Sequence, residues 1–203
     1  MNMVTHIIGG DFGILVLILC TVLAVPGGDP LEILSAVVYG FSLIAVYTIS
    51  SVYHGLRPGM GKKVLQVVDH CTIYLLIAGT YTPILLAGFR STYPEICWGL
   101  LALEWGLSIL AIVLTAIDLK KYNVFSMICY IGMGWAILPF WHQARDVLTQ
   151  PGFLLIFWGG IAYTIGAILY GIGSKKRWMH SVFHIFVLLG SFLQFLAICM
   201  YVL

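Results

Sequence analysis

Long runs without a single formal charge limit this chain more than any other feature. Asp, Glu, Lys and Arg are absent from Phe12 to Gly28, Ile33 to Leu56, His70 to Phe89, Tyr122 to Ala144, Val147 to Ser174 and Trp178 to Leu203. A further run, Ile96 to Ile117, is interrupted only by Glu104. Each run approaches or exceeds the length a helix needs to cross about 30 Å of hydrocarbon. Barrel strands would instead read as segments of about ten residues with alternating polarity. Only 9% of the 203 residues are charged, against about 25% in soluble domains, so a water-facing surface cannot be dressed. The sequence therefore predicts an all-α integral membrane protein, with seven transmembrane helices forming one domain over 1–203.

Turn signals separate the runs: Pro26 to Pro30, Arg57 to Gly61, and Gln150 to Gly152. Short loops richer in Lys and Arg stay in the cytoplasm. Arg57, Lys62, Lys63, Lys120, Lys121, Lys175, Lys176 and Arg177 fall on one side of a seven-span topology, and Arg90 and Arg145 on the other. The N-terminus is thus expected in the cytoplasm and the C-terminus outside. Seven spans leave no room for a soluble catalytic or DNA-binding domain, and the net charge of +2 gives no argument for nucleic acid. Five cysteines, odd in number and singly spread, support neither a disulfide framework nor a cysteine zinc site. Pro83 and Pro139 lie inside runs and predict kinks, while Gly9 and Gly13 predict a close helix contact.

Ionisable residues inside membrane spans are costly and read first as functional. On the expected topology Ser50, His54, Asp69, His180 and His184 all lie at cytoplasmic helix ends. Residues four apart differ by about 40° around a helix, so Ser50 and His54 face one way, as do His180 and His184. Three neutral imidazoles with an open fourth position make a catalytic zinc site, and one carboxylate helps to neutralise the cation. This points to His54, His180 and His184 as ligands of Zn2+, with Asp69 and Ser50 as catalytic companions. Helix-end histidines after Lys175, Lys176 and Arg177 are equally compatible with the lipid headgroup layer. His6 and Asp11 read as hydrogen-bonding support or as ordinary helix-end residues. His70 points about 100° away from Asp69, and His142 belongs to the opposite face. Glu104 falls near the bilayer centre, as a buried carboxyl between helices or a proton relay.

The segments SSVYHGL (Ser50 to Leu56), VVDHCTIYLLIAGTYTP (Val67 to Pro83) and HSVFHIFVLLGS (His180 to Ser191) resemble the hemolysin III family. NMVTH (Asn2 to His6), Gly134 with Trp135, and YTIGAILY (Tyr163 to Tyr170) extend the resemblance over nearly the whole chain. That family stands with the progestin and adiponectin receptors and, more distantly, the alkaline ceramidases. The resemblance implies seven helices, a zinc ion near the cytoplasmic face held by His54, His180 and His184, Asp69 beside the metal, and Ser50 in the same polar cluster. Glu104 departs from it, since the family pattern has an apolar residue there. The expected function is metal-dependent, hydrolase-like activity on a membrane lipid amide or ester at the cytoplasmic leaflet, with lipid as substrate or ligand, in a bacterial plasma membrane. Two alternatives remain: a non-enzymatic receptor or regulator of membrane lipid state, and a haemolytic pore, the latter ranked last because few polar residues line a continuous path.

Overall fold

The computed structural model describes the backbone of residues 2–173 and 179–203, and the side chains of residues 6–171 and 182–203. Within these residues the chain is helical throughout: α1 (Asn2–Ala24), α2 (Pro30–Gly55), α3 (Met60–Pro83), α4 (Pro94–Ile117), α5 (Asn123–Gly134), α6 (Trp141–Gly173) and α7 (Met179–Tyr201). Among the described residues, six stretches are long and apolar enough to cross a membrane. The last but one, Asn123–Gly171, contains both α5 and most of α6.

Local chemistry accounts for where helices start and stop. Asp29 caps α2 by accepting from the Leu31 N–H at 2.9 Å, and Pro30 occupies the first helical position, where no N–H is needed. α4 likewise opens on Pro94, with Glu95 in its first turn to complement the helix dipole. The two kinks expected from proline take different forms. Beyond Pro83, α3 widens into a π-helical turn, Ile84–Phe89, because the imide offers no N–H to the preceding turn. Around Pro139 the helix stops altogether: α5 ends at Gly134, a 3₁₀ turn covers Leu138–Phe140, and α6 begins at Trp141. α6 is itself broken at Thr149, whose φ of 60° and ψ of 170° fall in a region almost confined to glycine.

Packing runs in chain order from α1 to α4, α7 lies against both α1 and α6, and α5 touches α3, α4 and α6. Large apolar side chains such as Ile7, Ile14, Ile18 and Val22 of α1 point outwards, as lipid-facing residues do. The interior instead holds Tyr39, Tyr47, Tyr74, Ser35, Ser108 and Thr115. Small residues let α1 and α2 approach. A Cβ added at Gly13 would lie 2.9 Å from the Ile44 backbone nitrogen, and one at Gly9 would enter the Tyr47 ring. At Gly40 it would come within 2.4 Å of Leu17 Cα, and a backbone atom cannot step aside. Gly40→Val is expected to destabilise the purified protein by about 1–3 kcal/mol in a thermal melt. Gly99→Ala, at a position with nothing within 4 Å, serves as the neutral control.

At one end of the bundle the connecting loops are tied together. Arg90 pairs with Asp29, and the Tyr93 hydroxyl donates to Asp146 Oδ2 at 2.8 Å. Arg90, aided by the Leu31 N–H, holds the Asp29 carboxyl below the usual carboxylate range. A depressed carboxylate contributes stability above its unfolded pKa and loses it as pH falls through the folded value. Stabilities of wild type and Arg90→Gln, compared by melting across pH, are therefore expected to differ slightly at neutral pH and to converge in acid.

Candidate metal centre

His6 lies in the second turn of α1, Ser50 and His54 share one face near the end of α2, and His184 lies early in α7. The contacts among α1, α2 and α7 bring these side chains together. His6 Nε2 is 3.4 Å from His184 Nε2 and 3.1 Å from Ser50 Oγ. Ring centroids are 5.5 Å apart for His6 and His54, 4.1 Å for His6 and His184, and 5.2 Å for His54 and His184. One ring nitrogen from each of the three histidines lies within 4.8 Å of the other two. His6 and His184 are buried, and His54 is partly exposed.

This donor set fits a divalent metal. Tetrahedral zinc with Zn–N bonds of 2.0–2.1 Å holds two ligand nitrogens about 3.3 Å apart. The separation between His6 and His184 nitrogens is already close to that value. Among the described residues these three histidines are the one group with metal-ligand spacing.

The cluster opens onto a cavity of about 200 Å3. His6, Ser50, His54, Asp69 and His184 line one end, and among the described residues Asp69 is the sole carboxylate in the wall. Ser50 lies within hydrogen-bonding reach of Asp69 as well as of His6. From His184 to Gln194, which also lines the cavity, α7 rises about 15 Å, so the space runs deep into the bundle. Its deeper walls are mainly apolar and aromatic, including Ile77, Tyr81, Trp135 and Val187.

Tyrosines brace the site. His70 lines the same cavity, but its ring is held by other partners: its Nδ1 meets the Gln66 carbonyl at 2.8 Å, its Nε2 meets the Tyr170 hydroxyl at 3.3 Å, and the Tyr130 hydroxyl donates to its carbonyl. Deeper in the bundle, Ser191 Oγ lies 2.7 Å from the hydroxyls of both Tyr47 and Tyr163, linking α2, α6 and α7.

The structure thus brings Ser50, His54 and His184 together, with Asp69 in the same wall. The His180 side chain lies outside the described residues. His142 lies tilted against Trp141, at the far end beside the Tyr93–Asp146 contact. His6, read from sequence as hydrogen-bonding support, stands in the middle of the cluster. The sequence signal that pointed to it was its place in NMVTH; spacing alone cannot connect residues 178 positions apart.

Fold and site together define a helical membrane protein with a buried cluster of imidazoles at one end of its bundle. Residues 1–195 match the family described as Haemolysin-III related, and the chain belongs to that family. It is 37% identical over 202 residues to "Hemolysin-3" of Bacillus cereus, covering 100% of this chain and 90% of that protein. To "Hemolysin-3 homolog" of Bacillus subtilis (strain 168) it is 34% identical over 200 residues, covering 98% and 92%. More distantly, 28% identity over 179 residues connects 77% of the chain with 38% of "Adiponectin receptor protein" of Drosophila melanogaster. No solved structure matches the chain.

Proposed function

We propose that this protein is a zinc-dependent hydrolase of a membrane lipid amide or ester, working at the cytoplasmic leaflet of a bacterial plasma membrane. The supporting observation is the convergence of imidazole nitrogens at the carboxylate-bearing end of a deep apolar cavity. His54 and His184 are ligands in this reading. The third nitrogen is His180 by helical spacing and His6 by contact, and single alanine variants of these two distinguish them by metal content.

Zinc bound there would supply Lewis acidity and would lower the pKa of a bound water toward neutrality. Asp69 would accept a proton from the attacking water on a carboxylate oxygen and return it to the leaving group. Ser50 orients that carboxylate and the His6 ring. The apolar walls hold an acyl chain and exclude water from the reacting end.

The proposed topology has seven crossings with the N-terminus in the cytoplasm. It draws support from the loop contacts: Asp29 with Arg90, and Tyr93 with Asp146, lie at the end of the bundle opposite the histidines. Among the described residues, Arg57, Lys62, Lys63, Lys120 and Lys121 fall at the histidine end. α5 would complete its crossing through the irregular segment before Trp141.

A second reading, a receptor whose metal fastens α1, α2 and α7 and responds to lipid in the cavity, is favoured by the distant relative named as an adiponectin receptor. One experiment separates the two. Purified protein in lipid discs is assayed for metal and for fatty-acid release from lipid amides and esters, before and after chelation. The hydrolase reading requires about one metal per chain and turnover that stops on chelation. Metal-replete protein without turnover supports the receptor.

A further inference from the structure

Glu104 has no part in the site described above. Its position along α4 is about 15 Å from Pro94, half of a hydrocarbon layer of about 30 Å. The side chain is 0% exposed, and neither carboxyl oxygen has a hydrogen-bond partner among the described residues. In such surroundings an unpaired carboxylate is costly, whereas a carboxylic acid is tolerated.

The neighbouring hydroxyls are already committed. Thr82 Oγ donates to the Ala78 carbonyl at 2.7 Å and accepts from Trp105 Nε1 at 3.2 Å. Ser108 Oγ donates to the Tyr74 carbonyl at 3.2 Å. Six or more oxygen ligands, as Ca2+ requires, are not assembled here, so the ligand such a group can take is a proton.

The Trp105–Thr82 bond sets Glu104 level with Tyr81, the titratable residue of α3 at that height. On α5, Cys129 packs with Ala111 and Tyr130 with Tyr74, about two turns away along α4. The Ile84–Phe89 turn contributes nothing titratable. Lys62, Lys63, Asp69 and His70 lie at the distant end of α3, and on α4 itself Cys97 donates to the Leu85 carbonyl.

Tyr81 also joins the two broken helices. Its hydroxyl donates to the Gly134 carbonyl at 3.3 Å and accepts from the Ile137 N–H at 3.1 Å, bridging the gap after α5. The same side chain lines the cavity, and two residues later α3 reaches Pro83. Irregular backbone at membrane depth is tolerated where it is buried in protein or lines a cavity, which is where intramembrane ion sites are built.

We propose that Glu104 is a proton-binding site in the membrane interior, exchanging with the cavity past the Tyr81 hydroxyl. On release, the Glu104 O–H bond breaks and the proton passes, by way of the Tyr81 hydroxyl that lines the cavity, to cavity water, giving a carboxylate and hydronium. Tyr81 then turns its O–H from the Gly134 carbonyl to the new carboxylate. Protonation of Glu104 thereby sets whether the gap after α5 stays bridged. None of this depends on the metal site.

Infrared spectroscopy of the purified protein in lipid discs, over a pH series, tests the proposal. Wild type is expected to show a carboxylic-acid carbonyl band that falls as pH rises while a carboxylate band grows. Glu104→Gln should lack that band, Glu104→Asp should keep a titrating band at a displaced frequency, and Asp69→Asn should keep it unaltered. Tyr81→Phe, which removes the donor that receives the carboxylate, should move the midpoint to higher pH. Circular dichroism at each pH confirms that the helices persist. The proposal is overturned if wild type has no such band, if the band survives in Glu104→Gln, or if it stays constant to the highest pH at which the protein remains folded.

Discussion

Alanine in place of His184 is expected to leave the purified protein without bound metal. His184 Nε2 is 3.4 Å from His6 Nε2, and its ring also lies beside His54, so its removal leaves any metal with an incomplete imidazole set. A ligand that binds only the folded state stabilises it by RT ln(1 + [L]/Kd), about 4 kcal/mol when its concentration is a thousandfold above Kd. The wild-type melting temperature should therefore rise when zinc is restored after chelation, while that of His184→Ala should not move. His142→Ala, at the other end of the bundle, should behave as wild type in both measurements. Unchanged metal content in His184→Ala would remove this residue from the site.

Asp69→Asn is expected to lower lipid hydrolysis by about 10²–10⁴-fold, the usual contribution of a positioned acid–base group. The substitution keeps the shape of the side chain and its capacity to meet Ser50, and it removes the ability to take a proton at the working pH. Metal content and melting temperature should consequently stay near wild type while turnover collapses, a split that simple misfolding would not produce. Equal fatty-acid release by variant and wild type would exclude Asp69 as the base.

The helices were legible because hydrocarbon imposes a blunt rule, the exclusion of charge over long runs, and Asp29, Arg57, Arg90 and Asp118 fall where helices end, whereas α6 begins inside such a run and carries Arg145 and Asp146. Proline marked Pro83 and Pro139 as irregular, yet the form of each break depends on neighbours. Beyond Pro83 the backbone closes a wider turn against α4. At Pro139 it abandons the helix, with Tyr81 supplying the missing bonds. The pairing of Ser50 with His54 could be read from one helix, since four-residue spacing fixes a shared face. The central place of His6 could not, because it arises from α1 packing between α2 and α7. The same limit applies to Cys20 and Cys199, isolated in sequence and 3.5 Å apart at Sγ in the fold.

The histidine cluster draws on α1, α2 and α7, so it spans nearly the whole order of synthesis. While the ribosome is still extending the chain, His6 and His54 can be in the bilayer without their partner from α7. On the proposed metal-binding reading, the donor set is complete only once α7 packs against α1, so metal capture would be a closing event of biogenesis. An arrested chain ending before Met179 would accordingly show the early helices inserted and no retained zinc.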